Sequence, residues 1–284
     1  MGKVRIVTDS TADIPQEERE RLGIAMIPLK VHFGEETYLD AITIGTEQFY
    51  KKLVQSPILP TTSQPSPVEF TEVYEKLLAE EPDTSIISIH LAAVLSGTYQ
   101  SATIAQSMIE GEADITIVDS KSASFGIGYL VVKAAEMAQA GRSKDEIVKE
   151  LQRLQEGFNL YFLVDTLEYL QKGGRIGKAS ALIGSILNIK PILTLDKEGG
   201  VFPVDKVRGS KKAMGRIVEL LKKDFGDEPV GLTLAWTDDT TVAMELGERI
   251  KSELNVKQVG YTTVGSVIGT HTGPGTSAVF MYKV

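Results

Sequence analysis

Thr84-Ser85-Ile86-Ile87-Ser88-Ile89, then Ser96-Gly97-Thr98-Tyr99-Gln100-Ser101, then Ile115-Thr116-Ile117-Val118-Asp119-Ser120 decide the fold. The first run is short, β-branched and apolar, which reads as a buried strand. Ser96–Ser101 opens a helix running to Met108, Ile115–Val118 is the next strand, and a further helix spans about Ser122 to Ala140. The chain start repeats the order. Val4–Val7 is a strand, Thr8-Asp9-Ser10-Thr11 a turn, and a helix follows with Asp13 as N-cap, Pro15 in its first turn, Gln16 at the capping-box position and Gly23 past its end. Ser143 and Glu146 form another capping box, for a helix to Gln155. Strands alternating with helices imply a parallel, doubly wound, Rossmann-like α/β sheet.

Between these units the reading is less regular. Ala25–Phe33, Gly34-Glu35-Glu36 and Thr37–Leu39 read as a hairpin. Thr46 caps a short helix to Val54. In Pro60-Thr61-Thr62-Ser63-Gln64-Pro65-Ser66-Pro67, Ser66 caps the next helix, Pro67 takes its first position and Glu69 closes a capping box. Thr61, Thr62 and Ser63 are left without a structural task.

The second half changes character. Asn159–Val164 reads as a strand, Thr166–Leu170 as a helical turn stopped by Lys172-Gly173-Gly174-Arg175, and Ala179–Ile189 as an uncharged helix of small and apolar residues. Ile192–Leu195 and Val201–Val207 flank a hairpin turn at Lys197-Glu198-Gly199-Gly200. A helix over Lys211–Lys223, a strand over Val230–Trp236, a helix over Thr240–Leu254 and a strand over Gln258–Val264 follow. Next comes a polar loop, Gly265–Thr276, and Ser277–Tyr282 ends the order as a strand. Fewer crossovers and two hairpin-like pairs suggest an α+β domain with a mainly antiparallel sheet. The expected division is 1–160 and 161–284.

The 284 residues are long enough for two domains, and at that size about 75% of the unfolded surface can be buried. A net charge of −8 argues against general nucleic-acid binding and against docking on anionic membranes. There is no cysteine, which removes disulfides, thiolate catalysis and cysteine metal sites. Met1-Gly2-Lys3-Val4-Arg5-Ile6-Val7 enters a strand pattern with no apolar signal core, and no run reaches the length of a membrane span; a cytoplasmic protein is expected.

No dinucleotide fingerprint, Walker loop, zinc-protease motif or nucleophile elbow is present. The chain has three histidines, His32, His90 and His271, too scattered for a structural zinc site. What recurs is hydroxyl-rich loops at strand ends, with one guanidinium, Arg175, and one imidazole, His271. Such groups suit holding a carboxylate or phosphate. A hydrogen bond to a charged group contributes about 1.5–3 kcal/mol, so three or four offset the desolvation of one anion. Taken singly, each has a plainer reading: a surface ion pair or helix cap for Arg175, a satisfied core histidine for His271, a buried core helix for Ala179–Ile189.

Thr8-Asp9-Ser10-Thr11-Ala12-Asp13, Thr61-Thr62-Ser63-Gln64-Pro65, Leu95-Ser96-Gly97-Thr98-Tyr99-Gln100-Ser101-Ala102, Val118-Asp119-Ser120, Leu170-Gln171-Lys172-Gly173-Gly174-Arg175-Ile176 and Gly269-Thr270-His271-Thr272-Gly273-Pro274-Gly275 together resemble the DegV family. The likeness runs in order through the whole chain. It implies a Rossmann-like domain and an α+β domain with one long-chain fatty acid, palmitate- or stearate-like, between them. It also implies a FakB-type role: presenting the carboxylate to the catalytic subunit of a fatty acid kinase, which makes acyl phosphate for phospholipid synthesis. On that resemblance the protein has no catalysis, cofactor or metal of its own, and its membrane contact is transient at most.

Carried over position by position, Thr62 binds the carboxylate, with Thr61 and Ser63 nearby. Arg175, Gly269, Thr270 and His271 complete the head-group network, and Ser96, Gly97 and Thr98 supply a helix N-terminus. Arg208, Lys211 and Lys212 resemble the basic segment that meets the kinase. One departure stands out: the family's Ser-Ser pair before Leu-Ser-Gly-Thr is replaced here by Ala92-Ala93, preceded by His90. Either Ser96 or His90 takes over that hydroxyl's task, or head-group binding is weaker or altered; Ser96 is the expected substitute. About 14 methylenes at ~0.8 kcal/mol each give about 11 kcal/mol before ordering costs, enough for the tail to drive binding. A resemblance in fold to dihydroxyacetone kinases leaves a second reading, with His271 holding a carbonyl compound or assisting phosphoryl transfer.

Overall fold

The computed structural model describes residues 3–81, 83–184 and 189–284. In chain order come β1 (Val4–Asp9), a 3₁₀ turn (Ser10–Ala12), α1 (Gln16–Leu22), β2 (Ala25–Ile27), β3 (Lys30–Phe33), β4 (Glu36–Leu39), α2 (Thr46–Gln55), β5 (Thr61–Ser63) and α3 (Pro67–Glu80). Next are β6 (Ser85–His90), α4 (Thr98–Met108), β7 (Ile115–Asp119), α5 (Phe125–Gln139), α6 (Lys144–Glu156), β8 (Phe158–Leu163) and α7 (Glu168–Lys172). After a 3₁₀ segment (Gly177–Leu182) follow β9 (Ile189–Leu195), β10 (Val201–Arg208), α8 (Ser210–Phe225), β11 (Val230–Trp236), α9 (Thr241–Glu253), β12 (Val256–Thr263), α10 (Ser266–Thr272) and β13 (Ser277–Lys283).

The first sheet is parallel, in the order β2-β1-β6-β7. Its strands read as near-continuous apolar runs because helices cover both faces. Ile6, Ile87 and Ile89 pack with Ile127, Leu130, Val131 and Ala134 of α5. On the other face Val7 and Ile86 pack with Phe70 and Tyr74 of α3 and Ala102 and Ala105 of α4. The capping boxes at Ser66–Glu69 and Ser143–Glu146 form as the sequence implies.

The second sheet has the order β10-β9-β8-β13-β11-β12, antiparallel except for β11–β12. Its strands alternate with period two. Val279 and Met281 face a layer with Ile217 and Leu221 of α8 and Leu246 and Ile250 of α9. Leu160, Phe162, Ala278 and Phe280 form the opposite face, which turns toward the first sheet's loops. The molecule is thus an α/β fold with a parallel Rossmann-like sheet first and a mainly antiparallel sheet after it.

A third, small sheet has the order β4-β3-β5, and it corrects several local readings. The Ala25–Phe33 strand is two strands, parted at Pro28, which has no N–H for a ladder: β2 joins the parallel sheet, while β3 pairs with β4 and β5. Thr61–Ser63 is strand rather than free loop. The cap of α2 is Gly45, with Thr46 already in the helix. Asp13 is not the cap of α1 either. Its backbone is left-handed (φ 52°), Pro15 occupies the cap position, and its carboxylate is engaged elsewhere.

The uncharged Ala179–Ile189 helix is not present as read. Gly177–Leu182 is 3₁₀, Gly184 takes φ 77°, and Ile189 already begins β9; residues 185–188 lie outside the described residues. The loop Gly265–Thr276 holds a helix, α10, with extended Gly265 as its cap and Gly273 (φ 76°) at its end. Gly269 sits inside it because an added Cβ would come 2.2 Å from the Tyr50 hydroxyl.

Candidate functional site

A cavity of about 90 Å³ opens between the inner face of the antiparallel sheet and the loops after β6 and β7. That is several times the 10–15 Å³ one ordered water needs. Its walls are mostly apolar: Leu160 and Phe162 from β8, Ala278 and Phe280 from β13, Leu195 and Val201 from the β9–β10 hairpin, and Leu91 and Leu95 from the loop after β6. The period-two alternation of β8 and β13 supplies this wall. Ser96, Arg175 and His271 also line the cavity, as do Ser124, Thr272 and Thr276.

His271 stands on the last turn of α10. Its Nε2 lies 2.8 Å from the Thr62 hydroxyl of β5. Its Nδ1 is buried without a hydrogen-bond partner among the described residues, against Gly173, where an added Cβ would come 2.3 Å from that nitrogen. No side chain but hydrogen fits at position 173, which explains one glycine of the Lys172-Gly173-Gly174-Arg175 turn. Burial, helped by the Arg175 guanidinium, holds the imidazole down at about 4. The ring is therefore neutral near pH 7, with one nitrogen a donor and the other an acceptor.

Arg175 donates from Nε to the Leu95 carbonyl at 3.0 Å and from one terminal nitrogen to the Gly173 carbonyl at 2.7 Å. One guanidinium thus ties the loop after β6 to the turn after α7 and keeps its charge at the cavity. The Ser96 hydroxyl lies 2.9 Å from that of Thr98 and accepts from the Thr98 backbone N–H at 3.3 Å. The arrangement can hold an acid group: a fixed cation, a neutral imidazole and hydroxyls, at the margin of an apolar slot.

Of the residues expected from sequence, Ser96, Arg175 and His271 line the cavity, and Thr62 is joined to it through His271. The others stand behind. Ser63 bonds His32 at 2.9 Å, Thr61 is exposed, and Gly97 packs on Gln64. Thr98 is buried, Gly269 lies against Tyr50, and the Thr270 hydroxyl donates to the Ser266 carbonyl within α10. Arg208, Lys211 and Lys212 are exposed where β10 passes into α8.

His90 does not stand in for the missing serine. It is fully buried, with Nε2 2.6 Å from the Ser88 hydroxyl and Nδ1 3.0 Å from the Asp9 carboxylate. Ala92 is buried beneath the β9–β10 turn, where an added Cβ on Gly199 would meet its methyl at 2.5 Å, and Ala93 is exposed. Among the described residues no group of three or more His, Cys, Asp or Glu is placed to hold a metal ion, and no helix is long and apolar enough to cross a membrane.

Sequence reasoning missed Gly173 and Asp40. Asp40 is buried just past β4 and accepts from the Ser266 backbone N–H at 3.3 Å and from the Ser266 hydroxyl. Neither had a local signal, because each acts on a residue distant in the chain.

The family model described as "Uncharacterised protein, DegV family" matches residues 3–284. A DegV domain-containing protein of Caldanaerobacter subterraneus subsp. tengcongensis is 41% identical over 283 residues, covering 99% of each chain. Among solved structures, a DegV family protein from Thermus thermophilus, described by its fatty acid binding, aligns with TM-score 0.92 and 38% identity over 99% of this chain and 100% of its own. A stearic acid-binding protein from Eubacterium ventriosum aligns with TM-score 0.90 and 26% identity over 100% and 98%. With one fold shared along its whole length, and with the model matched from residue 3 to the last, the chain belongs to the DegV family.

Proposed function

We propose that the protein binds one long-chain fatty acid, of palmitate or stearate length, between a domain of residues 1–160 and one of residues 161–284. It acts in the cytoplasm as a carrier without chemistry of its own, and presents the carboxylate to the catalytic subunit of a fatty acid kinase. The observation that carries this is the union, in one cavity, of an apolar wall from β8 and β13 with Ser96, Arg175 and His271. The fatty-acid-binding relatives support it. In this reading the tail supplies most of the affinity. Arg175 supplies charge, and Thr62, Ser96 and His271 orient the head group. The exposed Arg208, Lys211 and Lys212 meet the kinase.

Denaturing mass spectrometry of the purified protein tests the binding. Release of a C14–C18 acid in near one-to-one amount supports it, and apo-protein recovered from a lipid-rich host overturns it. Acyl phosphate formation with a fatty acid kinase and ATP, absent when Arg208, Lys211 and Lys212 are changed to Glu, tests the presentation step.

A further inference from the structure

The short helix α10 carries His271, and side chains from the first third of the chain grip it at successive points. The Tyr50 hydroxyl donates to the Val264 carbonyl at 3.0 Å, the Gly265 N–H donates to the Asp13 carboxylate at 3.1 Å, and the Ser266 N–H and hydroxyl donate to Asp40. Asp13 is itself fixed by the Ser124 hydroxyl. Five residues on, about 7.5 Å along the axis, His271 meets Thr62. Asp40 directly follows β4, and Thr62 lies in β5 of the same three-stranded sheet. One small sheet therefore holds both ends of the helix, while Leu29 and Val31 pack with Val267 between them.

Two such points fix more than one can. A bond at His271 alone leaves the helix free to pivot about the imidazole. A second bond at Ser266 fixes the rotation of the helix, and with it how the His271 ring is set at the cavity. Burying a carboxylate costs several kcal/mol, and two of them, Asp13 and Asp40, are placed at this one helix end. Burial raises the carboxyls of Asp13 and Asp40 above their ordinary range, and one oxygen of Asp40 has no hydrogen-bond partner among the described residues.

We propose that Asp40, with Asp13 and Tyr50 beside it, is a positioning residue for the head-group site: by docking Ser266 on the small sheet it sets the orientation of His271 toward the ligand carboxylate. This rests on the fatty acid reading, and the test separates the two. Palmitate and hexadecanol share a tail and differ in the head group, so a positioning role weakens the acid and spares the alcohol. Asp40→Ala is expected to lower palmitate affinity about tenfold, the value of one charge-assisted hydrogen bond, with hexadecanol affinity held within about twofold. Asp40→Asn, which keeps an acceptor for Ser266, restores palmitate binding. Asp40→Ala combined with His271→Ala loses less than the product of the single losses.

The side-chain nitrogen NMR signals of His271 in ligand-free protein shift in Asp40→Ala and return in Asp40→Asn. Should Asp40→Ala not fold, Ser266→Ala removes only the hydroxyl contact and is expected to shift the same signals. Equal losses for acid and alcohol, or unmoved His271 signals, overturn the inference and leave the fatty acid reading standing. If the wild type binds neither palmitate nor hexadecanol, the fatty acid reading falls. The His271 signals then decide the positioning role by themselves: a shift supports it, and none overturns it.

Discussion

His90 is a fully buried imidazole and His271 a partly buried one, and their surroundings could hardly differ more. His90 sits at the end of β6 with both ring nitrogens satisfied, inside a chain that runs from the Tyr74 hydroxyl to Ser88 and through the ring to Asp9. Asp9 in turn accepts from the Leu91 and Thr11 backbone N–H groups, so the network pins the loops that leave β1 and β6. His271 has one nitrogen on Thr62, the other without a partner among the described residues, a guanidinium nearby, and a cavity beside it. Serine, histidine and aspartate close together therefore do not mark chemistry here. The satisfied imidazole holds the frame, and the other lines the cavity with Thr62 as its link to the small sheet.

That contrast is broken or sharpened by measurement, beginning with the largest effect. His90→Ala leaves a buried carboxylate and a hydroxyl short of partners and opens a cavity. A loss of about 3–4 kcal/mol is expected in urea unfolding, with palmitate affinity of the folded fraction unchanged. An intact fold with lost affinity would reverse the roles assigned to the two histidines.

Next is acid. The His271 imidazole titrates at about 4 in the fold and near 6.5 when unfolded. Because the folded value is depressed, its contribution is fully present above the unfolded value and is lost as pH falls from there through 4. On the order of 2–3 kcal/mol is at stake. Unfolding free energies at pH 7 and pH 4 should thus diverge more for wild type than for His271→Gln. Asp13 and Asp40, whose carboxyls are shifted up by burial, act with the opposite sign but are common to both proteins and cancel in the difference. Equal acid sensitivity in the two proteins would show that the ring is not held neutral.

Thr62→Val and His271→Gln are expected to weaken palmitate binding by about tenfold each, with melting temperatures close to wild type, as read by isothermal titration and calorimetry. The smallest effect belongs to Ala93→Ser. The residue is exposed and is not part of the cavity lining, so restoring that hydroxyl is expected to change affinity by less than about twofold. A tenfold gain would move the head group toward that loop.

The parallel sheet and β13 were legible because strands buried on both faces announce themselves as apolar runs. The small sheet was not. Thr61-Thr62-Ser63 is three hydroxyl residues whose strand character exists only in pairing with β3. Asp13 looked like a helix cap and is instead spent on Gly265, 252 positions away. Four glycines disguised α10 as a loop, since propensity counts Gly269 against a helix while packing on Tyr50 demands it. At the site, Thr62, Ser96, Arg175 and His271 could be named by resemblance to the family. Gly173 and Asp40 could not, because their meaning lies wholly in what they touch.

Gly265, Gly269 and Gly273 recur every fourth residue, and each leaves room for something a Cβ would strike: Asp13, Tyr50 and Tyr169 in turn. Together they make a ruler. One residue inserted or removed between the first and the last would turn the rest of the helix by about 100°, bringing side chains to bear on those neighbours and swinging His271 away from Thr62. By composition this is the most loop-like stretch of the chain, where drift in length would be thought harmless. Its geometry makes it a segment whose length is fixed, and a DegV sequence carrying an insertion here would be expected to have given up the pocket.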